Sequence, residues 1–236
     1  MHSSNPELKP SKISSLLVDN EGRSRGQQIR DQLEDDIVNG KLKPGDQIQI
    51  EALVDRFSVS RTPVREALQQ LETSGLVEVL PKRGTYVKRI GMGELVQMFE
   101  VMAELEALCA QLAARRASSV TVHAIDEAMK ACEAVATTQD INGYYYANER
   151  FHGLIYEACG NPFLVQQTLA LKNRLKPYRR VQLQIRNRMA QSQQEHRAIL
   201  AAIAQGAPDA AARAAREHVL IQGQRFSDLM SLNVCQ

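Results

Sequence analysis

The chain has 236 residues, 44% of them hydrophobic, with 29 Lys and Arg against 27 Asp and Glu. That length suits two domains with real cores, and a net charge of +2 with the signs interspersed excludes a polybasic or acidic solvating chain. Contact with nucleic acid must then come from a local patch and not from bulk charge. Trp is absent while Ala, Leu, Gln and Arg abound, a helix-rich composition. Cys109, Cys132, Cys159 and Cys235 are far apart with no CxxC pair, so buried thiols in a reducing cytosol are expected and not a disulfide framework. The sequence shows no apolar signal core and no run long enough to span a bilayer, so a soluble, cytoplasmic protein without membrane contact is expected.

Residues 1–22, rich in Ser, Asn, Pro and Lys around Ile13–Val18, read as a flexible arm that docks locally. Helical periodicity starts near Ser24, with Ile29, Leu33, Ile37 and Val38 on one face and Gly40 as terminator. A turn, "KLKPGDQI", leads to an extended piece at Gln47–Ile50 and a short helix over 51–57. Pro63 suits only the first turn of a helix, which places the next one from Ser60–Thr62 to about Ser74. The alternating "LVEVLPKRGTYVKRI" is a hairpin with a basic tip, Lys82–Arg83.

From Met92 onward strand signals vanish, and helices are predicted over 92–117, 119–138, 141–159, 162–185, 192–205 and 208–231. "GNP" at 160–162 supplies a terminating Gly, an N-cap Asn and a first-turn Pro, and "SQQE" at 192–195 matches a capping box. Pro177 inside a helical pattern predicts a kink or break. The expected organisation is an arm over 1–22, a mixed N-terminal domain over 23–90, and an all-helical domain over 91–236. The fold class is mainly α: an N-terminal winged helix-turn-helix followed by an all-α antiparallel bundle.

Two constellations carry chemistry. On the 60–74 helix, Val64, Ala67, Leu68 and Leu71 form an apolar stripe, and Arg61 and Arg65 project from another face with Thr62 nearby. A short helix before it and a basic wing after it make a DNA-binding layout. An Arg at the leading end of such a helix can grip guanine O6 and N7, while Ser60, Thr62 and the first backbone N–H groups can hold phosphate. Lys82 and Arg83 on the wing can reach a neighbouring phosphate or the minor groove. Two Arg alone would more often be a solvated face; the order of elements and the string decide otherwise.

The string "GKLKPGDQIQIEALVDRFSVSRTPVREALQQLETSGLVEVLPKRGTYV" resembles the winged helix-turn-helix of GntR-type bacterial transcription regulators, most specifically in "VSRTPVREAL". The resemblance covers roughly residues 24–89. It implies that Arg61, Arg65 and the wing Gly84 contact double-stranded operator DNA. One branch of that family carries a DNA-contacting Arg where this chain has Glu51, so that contact is not carried over.

The second constellation is histidine. His2 lies in the arm, and His123 sits among polar positions as a surface residue. His152 shares a face with Asn148 and Ile155, His196 with Ile199, Leu200 and Ile203, and His218 sits near Ala214, Ala215 and Ile221. Each alone is better read as a hydrogen-bonded core histidine. Three on separate helices of one bundle make a candidate site for a divalent transition metal of the Zn, Ni or Mn type, with Asn148 as a fourth, oxygen ligand. Glu195 and Glu217 lie about 100° round their helices and are poorly placed as ligands.

"MFEVMAELEALCAQLAARRAS", "NERFHGLIYEACGNPFL" and "SQQEHRAILAAI…AAREHV" resemble the all-helical effector domain, of FCD type, of the FadR branch. That resemblance implies a metal held by an Asp and three His. His152, His196 and His218 match the His, whereas Asn148 stands at the Asp position and Met102 where an effector-holding Arg is expected. An Asn leaves the metal its full charge, which weakens metal binding, by a few kcal/mol in order of magnitude, and strengthens the pull on an anionic ligand. Hence a small organic acid effector is expected, with Arg179 and Arg180 helping to hold it or, equally, forming a solvated face. The leading reading is a homodimeric regulator, more often a repressor in this family, reading a palindrome. The alternatives are a metal-dependent hydrolase with a DNA-targeting domain, and a regulator whose histidines are structural.

Overall fold

Local signals explain most element ends. The computed structural model describes residues 24–138, 140–183, 185 and 187–233; the arm, His2 and Cys235 lie outside them. Helix α1 (Arg25–Val38) opens on a reciprocal cap: the Gln27 amide donates to the Ser24 hydroxyl, and the Ser24 amide donates to the Gln27 side chain. It ends at Gly40, whose φ of 72° is open to glycine. Ile29, Leu33 and Ile37 are buried along one face. Strand β1 (Gln47–Ile48) leads straight into α2 (Ile50–Phe57), so Ile50 starts a helix and does not extend the strand.

Helix α3 (Arg61–Thr73) packs Val64, Ala67, Leu68 and Leu71 against α1 and α2. Asp36 on α1 is buried and bridges Arg56 at 2.5 Å and Lys41 at 3.4 Å, tying α1 to α2. The wing is β2 (Val77–Leu80) paired antiparallel with β3 (Gly84–Val87). Strand β1 pairs with the other edge of β3, Gln47 opposite Tyr86. The predicted extended piece thus belongs to the wing sheet.

The helical domain comprises α4 (Met92–Arg116), α5 (Ser119–Thr137), α6 (Ile141–Ala158), α7 (Pro162–Gln182), α8 (Arg188–Ala204) and α9 (Pro208–Asn233). Helix α4 lies along α9 and touches α6, α7 and α8. The start of α7 is as expected: Gly160 has φ 61°, and the Leu164 amide donates to the Asn161 side chain at 3.2 Å.

One expectation fails here, and of the kink or break expected at Pro177 the break does not occur. Helix α8 begins at Arg188, from Asn187 at φ 62°, so Ser192 and Glu195 lie inside the helix and form no capping box. Arg188 and Glu195, two turns apart on one face, pair at 2.9 Å, and that burial of charge overrides the local cap. Helix α7 also runs through Pro177 without a break. Its neighbours are held independently: Lys176 pairs with Glu34 of α1 at 2.5 Å, and the Tyr178 hydroxyl accepts from the Ile90 amide at 3.1 Å. These contacts offset the backbone hydrogen bond that proline removes. Among the described residues, no helix is long and apolar enough to cross a membrane.

Candidate nucleic-acid interface and candidate metal centre

The side chains expected to face DNA stand where the helix and wing project them. Ser60 caps α3 in extended geometry without a side-chain cap bond, so its hydroxyl is not spent on the helix. Arg61, Thr62 and Arg65 are exposed, as are Lys82, Arg83 and Gly84 at the wing tip. The tip is braced from beneath: the Gln47 amide and the Tyr86 hydroxyl both donate to the Arg83 carbonyl, at 3.1 and 3.0 Å. Gly84 has φ 104°, a region closed to most side chains, and a Cβ there would meet the Gln47 amide nitrogen at 3.2 Å. Glycine is therefore required by the turn itself.

The three inward histidines converge where two apolar clusters meet. His152 on α6 stands between Phe151 of one and Tyr156 of the other, and His218 on α9 between Ala215 and Val219. The His152 ring centre is 5.1 Å from those of His196 and His218, which are 4.8 Å apart. One nitrogen of each lies within 4.8 Å of the others. All three are fully or almost fully buried.

Carboxylates fix the outward nitrogens. His152 Nδ1 is 3.0 Å from Glu106 Oε2, and His218 Nδ1 is 2.6 Å from Glu195 Oε2. Arg179 donates to the other Glu106 oxygen at 2.8 Å, and Arg188 to Glu195. His196 Nε2 lies 3.3 Å from the Ser192 hydroxyl. The buried nitrogens His152 Nε2 and His196 Nδ1 have no protein partner. Orphaned buried acceptors are costly and rare; two of them aimed into one cluster, with Glu106 orienting His152, Glu195 orienting His218 and Ser192 beside His196, fit a metal ion.

The electrostatics agree. Burial pushes the His152 imidazole down, with Glu106 opposing it only in part. Burial and then the neighbouring imidazoles push His196 well down, and burial, His152 and Arg188 do so for His218. Neutral rings are the form that ligates metal. Burial alone would raise the Glu106 carboxyl, but the Arg179 guanidinium and His152 hold it well below the usual carboxylate range.

Asn148, one turn before His152, is 9% exposed and lines a small cavity with Tyr145, Arg179, Gln182, Arg188 and Ser192. Its volume of about 10 Å³ is near the threshold for one water, so a larger anion requires side chains to move. Arg179 NH2 and Arg188 NH1 are buried there without partners. Arg179 and Arg180 are both buried, so neither lies on a solvated face; Arg180 donates to Asn142 and lies over the Tyr145 ring. Met102 is wholly buried among apolar side chains, and Arg179 is the cation on Glu106. His123 is exposed on α5, as expected.

Sequence reasoning missed Glu106, Arg188 and the part played by Glu195. Glu106 had a signal, since it interrupts the apolar face that Met102, Ala103 and Ala110 define on α4. Arg188 had none, because only the true start of α8 puts it on the inward face.

Residues 97–220 match the FCD domain family, and residues 25–87 match the gntR family of bacterial regulatory proteins. The HTH-type transcriptional repressor GlaR of Escherichia coli K12 is 26% identical over 200 residues, 80% of this chain and 89% of GlaR. The galactonate operon transcriptional repressor of the same organism is 28% identical over 214 residues, 82% and 93% of the two chains. Among solved structures, E. coli McbR/YncC shares the fold with a TM-score of 0.77 at 21% identity, over 88% of this chain and 99% of that one.

Proposed function

We propose that this chain, which belongs to the gntR family of bacterial regulatory proteins and carries an FCD domain, is a repressor of the FadR branch that leaves its operator when a small organic acid binds beside a metal ion. That the chain is a DNA-binding transcription regulator and not an enzyme follows from the family; repression follows the relatives named as repressors. The observation that carries the metal is the convergence of three buried imidazoles, of which His152 and His196 each leave one buried nitrogen without a protein partner.

His152, His196 and His218 would hold the ion, with Asn148 as the fourth donor, and the ion would supply a cationic anchor for a carboxylate. Glu106 and Glu195 orient the rings. Arg179 and Arg188 present unpartnered guanidinium nitrogens to the same cavity, and Arg180 lies over the ring of Tyr145, which lines it. One relative is named for the operon of a sugar carboxylate, which agrees with an acidic effector.

Helix α7 carries the signal, because it holds Arg179 at the site, Tyr178 on the Ile90 amide just before α4, and Lys176 on α1. The regulator acts as a homodimer on a palindrome. The exposed apolar side chains Val101 and Leu108 on α4 and Phe163 on α7 supply a surface for the second copy.

The test measures bound metal and operator affinity together. Purified protein is expected to hold about one Zn, Ni or Mn per chain, lost in His152→Ala. It should shift duplex DNA from upstream of its own gene, and Arg65→Ala should abolish the specific shift. Protein without metal but with effector-sensitive DNA binding would instead favour purely structural histidines.

A further inference from the structure

We infer that Glu51 is a specificity-determining residue of the DNA-reading surface: it positions Arg61 and accepts a hydrogen bond from the cytosine amine next to the base Arg61 reads. The inference rests on α3 being the recognition helix.

Glu51 sits in the first turn of α2, and its Oε1 lies 3.2 Å from Arg61 NH2 at the start of α3. Both side chains are largely exposed, 70% and 64%, so no core packing demands the pair. The first turn of α3 holds no acidic residue, so the carboxylate that meets this helix's positive end comes from α2. Glu51 therefore faces the surface that otherwise presents Ser60, Arg61, Thr62 and Arg65.

A carboxylate brought against the phosphate backbone is repelled, and it weakens DNA binding of every sequence alike. It can be compensated in the major groove in two ways. One is the ion pair with Arg61, which takes one guanidinium nitrogen and leaves the others for guanine O6 and N7. The other is an exocyclic amine, and the pairing of acidic side chains in the groove is with cytosine N4. Both need Glu51 to point along the groove floor, and the contact to Arg61 aims it there. Arg65 is four residues further along α3 and reads independently.

The experiment selects preferred duplexes from a randomised library with the full chain and with Glu51→Ala, Glu51→Gln, Arg61→Ala and Arg65→Ala. The position read by Arg61 is the one that Arg61→Ala relaxes. Wild type is expected to require cytosine at the neighbouring position. Glu51→Ala should lose that preference, about tenfold or more, which is the scale of one good base contact. It should also bind unrelated DNA more tightly with an unchanged salt slope, since no phosphate contact is lost. Glu51→Gln should move the preference towards adenine, whose N6 and N7 suit an amide. An unchanged preference in Glu51→Ala, uniform weakening at all positions, or a wild-type base other than cytosine at the altered position would each overturn the inference. Arg65→Ala separates the two levels. If it leaves the selected sequence intact, the recognition-helix reading itself fails; if it erases preference while Glu51→Ala does nothing, only Glu51 is wrongly assigned.

Discussion

Replacing Glu106 by Gln keeps the shape of the side chain and removes its charge. In the structure that charge is met by Arg179 at 2.8 Å and by the His152 ring at 3.0 Å, with all three residues buried. Glu106→Gln leaves the Arg179 cation without its nearest counter-charge, and its second terminal nitrogen has no partner to begin with. Breaking a buried pair from one side costs about 3–5 kcal/mol, because the survivor is desolvated and unpaired. With a urea m-value of about 2–3 kcal/mol/M, the unfolding midpoint should fall by about 1–2.5 M. The second variant, Glu106→Gln with Arg179→Met, removes the stranded charge and should recover more than half of the loss. Metal affinity should fall about 10–100-fold in Glu106→Gln, since the group orienting His152 has been weakened. Titration with Zn, Ni or Mn alone reads that effect separately from stability. A midpoint shift worth less than about 1 kcal/mol, the scale of an exposed pair, would refute the picture of a dry, paired Glu106.

Three further outcomes are expected. Asn148→Asp should tighten metal binding by tenfold or more and weaken a carboxylate effector, because a charged donor replaces a neutral one; isothermal titration of both ligands checks it, and equal affinities would remove Asn148 from the site. Lys176→Ala should leave effector binding intact but shrink the ratio of operator affinities without and with effector, since it cuts a tie between α7 and α1; an unchanged ratio would mean the signal takes another route. Without metal, stability should decline as pH falls. The folded-state values of His152, His196 and His218 are depressed below the ordinary imidazole value of about 6.5, so the unfolded chain takes up protons first. Their contribution is complete above about pH 6.5 and is lost as pH falls through the lower folded-state values. Urea midpoints at pH 7.5 and 5.5 measure it, and His152→Ala should flatten the dependence.

Much of this was legible without coordinates, wherever the cause is local. Pro63 in a first turn, Gly84 in a tight wing and Asn161 before Pro162 are matters of backbone sterics and orphan N–H groups, so the residues carry their own instructions. The periodic burial of Val64, Ala67, Leu68 and Leu71, and the inward aim of His152, His196 and His218, follow from helical spacing. The pairing of β1 with β3 has no local sign, because a two-residue strand is defined only by its partner. The start of α8 at Arg188, the unbroken passage of α7 through Pro177, and the assignment of Glu106 to His152 and Glu195 to His218 are likewise tertiary. In these, charges or backbone groups are brought together, seven residues apart for Arg188 and Glu195 and from separate elements for the others. The free energy of satisfying them outweighs the cap or breaker signal at the site. The sequence alone determined which residue types could meet; the packing of α4, α6, α8 and α9 decided which nitrogen faces which carboxylate.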